Sequence, residues 1–145
     1  MRRSLGPMIL LLAAIAAPSL ADDKKIDPAT LKDKLSIRPG ETLVVGFKQE
    51  GDKLTDPKKI EKPPEEPTTP SFKFSNDQGQ VMLMTRNPYA KNLKFRALMR
   101  VKGSKDYVET SIVPVYHGLF GVELWQDPIE ELILFDFRLV EPEKE

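Results

Sequence analysis

The only histidine, His117, stands in VPVYHGLFGVELWQDP (residues 113–128) together with the only tryptophan, Trp125. An imidazole can ligate a metal or act as a base near neutral pH. Met82, Met84 and Met99 add thioethers, and soft sulfur with imidazole suits Cu(I). Met82 and Met84 are two positions apart, so on a strand they share a face. The same residues sit among Val81, Leu83 and other apolar side chains, where methionine is ordinary core filling. One histidine is also too few for a zinc or Cu(II) site of the usual kind. The expectation is no metal and no cofactor. A periplasmic copper-binding protein, with Met82, Met84, Met99 and His117 as ligands, is the alternative.

Carboxylates are the next candidates. Asp127, Glu130 and Glu131 gather around Pro128, and Asp136 lies two residues before Arg138. Acid–base hydrolysis of a glycan or peptide needs two carboxyl groups facing across a cleft, one with a raised pKa. The pattern reads instead as solvated carboxylates at a strand end. Ser104, Thr110 and Ser111 lack the glycine-flanked elbow of a nucleophilic serine. The turns RPGE and EGDK are not phosphate loops. An envelope enzyme acting on polysaccharide or peptide through Asp127, Glu130 or Glu131 remains a second alternative, and the main expectation is a noncatalytic protein.

Aromatic side chains at loop ends offer recognition without catalysis. Tyr89 lies in an NPY turn, Tyr116 and His117 precede Gly118 at a bend, and Trp125 ends an apolar run beside Asp127-Pro128. Gathered at one end of a rigid scaffold, Tyr89, Tyr116, His117 and Trp125 would anchor a ligand. The expected partner is a protein or a glycan of the cell envelope.

The compartment follows from the first residues. Arg2 and Arg3 precede the apolar stretch MILLLAAIAA, and Ser19 and Ala21 are the small residues of a cleavage site. This pattern predicts a secretory signal over residues 1–21, and its apolar run, Met8 to Ala17, is too short to span a bilayer comfortably, which takes about 20 apolar residues. No stable membrane insertion is expected after cleavage, and the location is periplasmic or secreted. Cleavage would leave 20 basic against 22 acidic side chains, because Arg2 and Arg3 are lost from the 22 of each. A formal charge of about −2 is no footprint for nucleic acid. The chain has no cysteine, which excludes disulfides, thiol nucleophiles and thiolate-bound metals.

The elements that must position these residues are mostly strands. Residues 22–41 read as an N-terminal arm with a short helix: Asp27 caps it, Pro28 starts it, and Leu31 and Leu35 share a face. TLVVGFKQ (42–49) is a strand in which Gly46 marks a bulge. Five prolines between Leu54 and Pro70 predict an extended loop over 54–70. SFKFS (71–75), a turn at NDQG, and QVMLMTR (80–86) follow. LKFRALMRV (93–101) alternates cleanly, with Leu93, Phe95, Ala97, Met99 and Val101 inward and Leu98 the exception. YVETSIVPVY (107–116), LFGVELW (119–125) and ELILFDFRLV (131–140) complete the chain, the last with Ile133, Phe135, Phe137 and Leu139 as its inward row.

About seven strands, short turns and no crossover helices predict one all-β domain over 42–145. Its expected architecture is an immunoglobulin-like antiparallel β-sandwich, on strand pattern alone. A small antiparallel β-barrel is the alternative.

Overall fold

The computed structural model describes residues 25–63 and 65–142. The expected signal peptide, residues 1–21, lies outside them. Among the described residues no helix is long and apolar enough to cross a membrane.

The arm begins as its cap dictates. The Asp27 carboxylate accepts from the Ala29 N–H at 2.9 Å, and Pro28 takes the first helical position. The helix is a single 3-10 turn, Pro28–Thr30. Two turns of isolated α-helix are too few to sustain themselves, and Leu35 is claimed instead by β1 (Leu35–Ile37), which pairs with the last strand. Leu31 and Leu35 therefore share no helical face.

Eight further strands follow: β2 (Thr42–Glu50), β3 (Lys53–Lys59), β4 (Ser71–Asp77), β5 (Gln80–Arg86), β6 (Asn92–Val101), β7 (Val108–Thr110), β8 (Phe120–Trp125) and β9 (Ile129–Val140). All pair antiparallel, in the order β7-β6-β9-β3-β2-β4-β5-β8, with β1 also on β9. The expected class, all-β and antiparallel, is what forms: one nine-stranded sheet curled into an open half-barrel.

The curl is visible in the core. Phe72 on β4 meets Phe95 on β6 edge-on, with ring centroids 5.5 Å apart, although three strands separate β4 from β6 in the sheet. Phe137 on β9 stacks on Phe95 at 5.6 Å and touches Phe47 at 4.8 Å. β2 carries the bend, since Thr42–Val44 pair with β4 and Val45–Glu50 with β3.

Three segments differ from the pattern reading. Residues 53–59, expected mostly as loop, form β3 despite Pro57. The register slips opposite Gly46–Lys48, and Asp56 adopts a φ of 51°. Asp56 and Pro57 thus occupy a bulge, where proline's missing N–H costs no ladder bond. The connection that remains lies between β3 and β4.

The second difference lies in β9. Asp136 has a φ of 56°, and the four β9 residues Phe135 to Arg138 span the three β6 residues Lys94 to Arg96. This bulge reverses the side-chain alternation. Phe137 and Leu139 stay inward with Leu132 and Leu134, while Ile133 and Phe135 turn outward. There they join Leu98, the apparent exception in β6, in a second small cluster under Ile26, Leu31 and Tyr107 of the arm and its neighbouring loop.

Third, the stretch 107–116 is strand only over β7, with a separate bridge between Leu93 and Val115. After Thr110 the chain leaves the sheet to cross the gap between its two ends.

Candidate functional site

β8 is one end of the sheet, paired only with β5. Its outward row, Phe120, Val122 and Leu124, is 59%, 51% and 52% exposed. Val113, Tyr116 and Leu119 in the preceding loop are more than half exposed as well. Every large, strongly exposed apolar side chain among the described residues thus falls within 113–124. On the adjoining strand, Met84 lies across from Val122 and Met82 from Leu124, both half-buried, and they extend the apolar face inward. The Arg86 guanidinium carbon sits 5.4 Å from the Phe120 ring centroid, capping the row with a cation–π contact.

The other face of β8 closes the half-barrel. Trp125 packs edge-on against Phe74 at 6.3 Å and donates its indole N–H to Thr110 Oγ1 at 2.9 Å. The Glu123 carboxylate accepts the Val113 N–H at 2.8 Å. Burial pushes Glu123 above the usual carboxylate range, and that single backbone donor offsets it only in part. Gly121 faces Val115 so closely that an added Cβ would stand 2.7 Å from its Cγ2.

Two buried asparagines fasten the loop before β8. The Asn87 amide donates to the carbonyls of Lys91 and Val115 at 2.9 Å and of Tyr116 at 3.3 Å, and its oxygen accepts from Tyr89 N–H. Asn92 Oδ1 accepts the His117 N–H at 3.0 Å. The Asn87 backbone N–H donates to Leu119 O at 2.9 Å. The NPY turn and the YHGLFG bend are therefore one assembly. Asn87-Pro88 was legible as a turn; the reach of its amide to a loop 28 residues later had no local signal.

This fixes where the four aromatic candidates lie. Tyr89 is half-buried against the core, and Tyr116 and His117 are exposed beside it in the shared loop assembly. Trp125 occupies the opposite end of β8, paired with Val81 rather than with Arg86, roughly 17 Å away at strand rise. The four do not form one patch. The exposed aliphatic row between them carried the stronger signal, visible in sequence as FGVELW with apolar residues at alternate positions.

The copper ligand set is likewise spread out. Met82 and Met84 lie on the outer face of β5, Met99 packs against the main core from β6, and His117 is in the loop. Among the described residues no group of three or more His, Asp or Glu side chains could hold a metal.

Of the carboxylates, Glu131 is only 6% exposed. Ser36 and Tyr107 hydroxyls donate to it, the latter at 2.6 Å, and guanidiniums of Arg38 and Arg100 stand at 3.9 and 3.5 Å. Burial alone would raise its pKa; the two hydroxyls and two guanidiniums outweigh it and hold Glu131 below the usual range. Arg100 also binds Glu130 at 2.7 Å, so it joins both carboxylates. A carboxylate held ionised is suited to anchoring β1 and the arm on β9, and is the reverse of a proton donor near neutral pH. Asp127 is exposed and outside this network.

No family model matches the chain, and neither a curated protein nor a solved structure matches it.

Proposed function

We propose that this protein is an exported, noncatalytic interaction module whose binding surface is the β8 edge with the loop 113–119. The observation that carries the reading is the confinement, among the described residues, of all strongly exposed large apolar side chains to 113–124. Apolar surface left in water on one edge strand is costly unless a partner covers it. The secretory signal pattern of residues 1–21 supports an envelope or extracellular location. A protein fits the surface better than a glycan, since the exposed residues are chiefly aliphatic and only Tyr116 and Phe120 offer rings. The immunoglobulin-like layering expected from the strand pattern belongs to this proposal too, as two facing halves that leave an edge and its loops for recognition.

Site-specific photocrosslinking in the native envelope tests it. A crosslinker at Val122 or Leu124 should trap a defined protein, and one at exposed Lys94, on the outer face of β6, should not. Equal labelling from both positions, together with turnover of an envelope substrate that persists after Leu124→Lys, would overturn the reading.

A further inference from the structure

We infer that the occupant of the β8 edge is a second copy of this chain, paired antiparallel, β8 to β8, about a twofold axis at Val122. This rests on the reading of β8 as an interaction edge and names its partner. Three observations converge on it.

The first is that the edge is open. Among the described residues, no backbone–backbone hydrogen bond reaches β8 on the side away from β5. Thr110 at the end of β7 and the segment after it engage β8 from its inner face instead, through the side chains of Trp125 and Glu123 and through Val115 against Gly121. β8 also lacks the lysine or proline that commonly blunts an edge. The opposite end of the sheet is guarded: β7 is only three residues long, Lys25 bridges to Val108, and Glu109 is tied to Arg96 at 2.7 Å.

The second is that the strand complements itself. With Val122 on the axis, Phe120 lies opposite Leu124 of the second copy, and the outward row meets only apolar side chains. Glu123 lies opposite Gly121 of the second copy, so the one charge in β8 meets no like charge. An isologous pair of this kind is closed and leaves both β8 edges satisfied.

The third is area. Six apolar side chains, each half to two-thirds exposed, present on the order of 600 Å² in all, the upper end of what a monomer usually shows. Two copies together present about 1,200 Å², the ceiling on what the pairing can bury and the size at which stable specific interfaces begin.

The test uses the absence of cysteine. In Val122→Cys, the two thiols face each other across the axis, and mild oxidation should link the purified protein into a covalent dimer. Lys94→Cys should stay monomeric. Sedimentation velocity of the unmodified protein should show a monomer–dimer equilibrium in the micromolar range, weakened at least tenfold by Leu124→Lys with circular dichroism unchanged. Should Leu124→Lys fail to fold, the disulfide yield at position 122 against position 94 decides alone. A monomer at every concentration, or equal crosslinking at 122 and 94, overturns the dimer. If the monomer still yields a defined envelope adduct from a photocrosslinker at Val122, the interaction reading survives and only the choice of partner falls. If it yields none, both fall.

Discussion

Two glutamates show how the same side chain takes opposite roles according to what surrounds it. Glu131 is enclosed by the Ser36 and Tyr107 hydroxyls and by the Arg38 and Arg100 guanidiniums, which hold its pKa below the usual range against the effect of burial. A carboxylate whose pKa falls on folding stabilises above its unfolded value, and that stabilisation is lost as pH drops through the folded one. Glu123 is desolvated with one backbone donor, and its pKa rises. Its contribution is complete in acid and declines as pH climbs through the raised value. Glu131→Gln should therefore cost about 1.5–3 kcal/mol at neutral pH and flatten the acid limb of a melting-temperature profile. Glu123→Gln keeps an acceptor for Val113 N–H, so it should be neutral or stabilising at neutral pH and remove the decline between mildly acidic and neutral conditions. Thermal melts of both variants across that range check the two signs. Parallel profiles for the variants would show that neither carboxylate is coupled to folding as described.

Elements were legible where alternation was unbroken, and hidden where the backbone interrupts it. LKFRALMRV announced both its strand and its inward row, and the outward Leu98 proved to mark the second cluster. ELILFDFRLV announced a strand, but nothing in its composition marks Asp136 as the point where the alternation reverses. Aspartate tolerates the left-handed region better than most residues, and two neighbouring guanidiniums fix its carboxylate: Arg138 at 2.6 Å and Arg96 at 3.9 Å. Asp136→Gly should then cost little, because glycine accepts that φ freely. Asp136→Val should cost at least about 1–2 kcal/mol through backbone strain, and urea denaturation would separate the two. Equal losses would mean that the carboxylate, not the backbone, sets the bulge. β3 was obscured for a related reason. Its proline sits in a bulge, whereas a count of prolines can register only that a regular central strand is disfavoured. The Asn87 clamp escaped for want of range, since its partners Val115 and Tyr116 are remote in sequence. Asn87→Ala would remove the amide donor to the Lys91, Val115 and Tyr116 carbonyls and the acceptor for Tyr89 N–H, and should cost about 1–3 kcal/mol, with amide exchange rising first in the 115–119 loop.

At the scale of the molecule, nothing covalent holds the curl: the chain has no cysteine. Closure depends on the core aromatics and on a short seam where the segment after β7 meets β8. Gly121 is the tightest point of that seam, with room for a hydrogen and not for a methyl against Val115. Its backbone is not in the left-handed region, so alanine would be tolerated conformationally and the clash alone would be felt. Gly121→Ala should cost about 1–3 kcal/mol, the usual penalty for overpacking. Val115 is 3% exposed, and Val115→Ala should be destabilising on its own through the cavity it leaves. The double variant should be less damaged than the two losses together, since the smaller side chain makes space for the new methyl. Residues in direct contact commonly show coupling of about 0.5–3 kcal/mol, and a double-mutant cycle by chemical denaturation measures it. Strict additivity would mean that the segment does not press on β8. In that case the edge offered to a partner would be shaped by β5 alone.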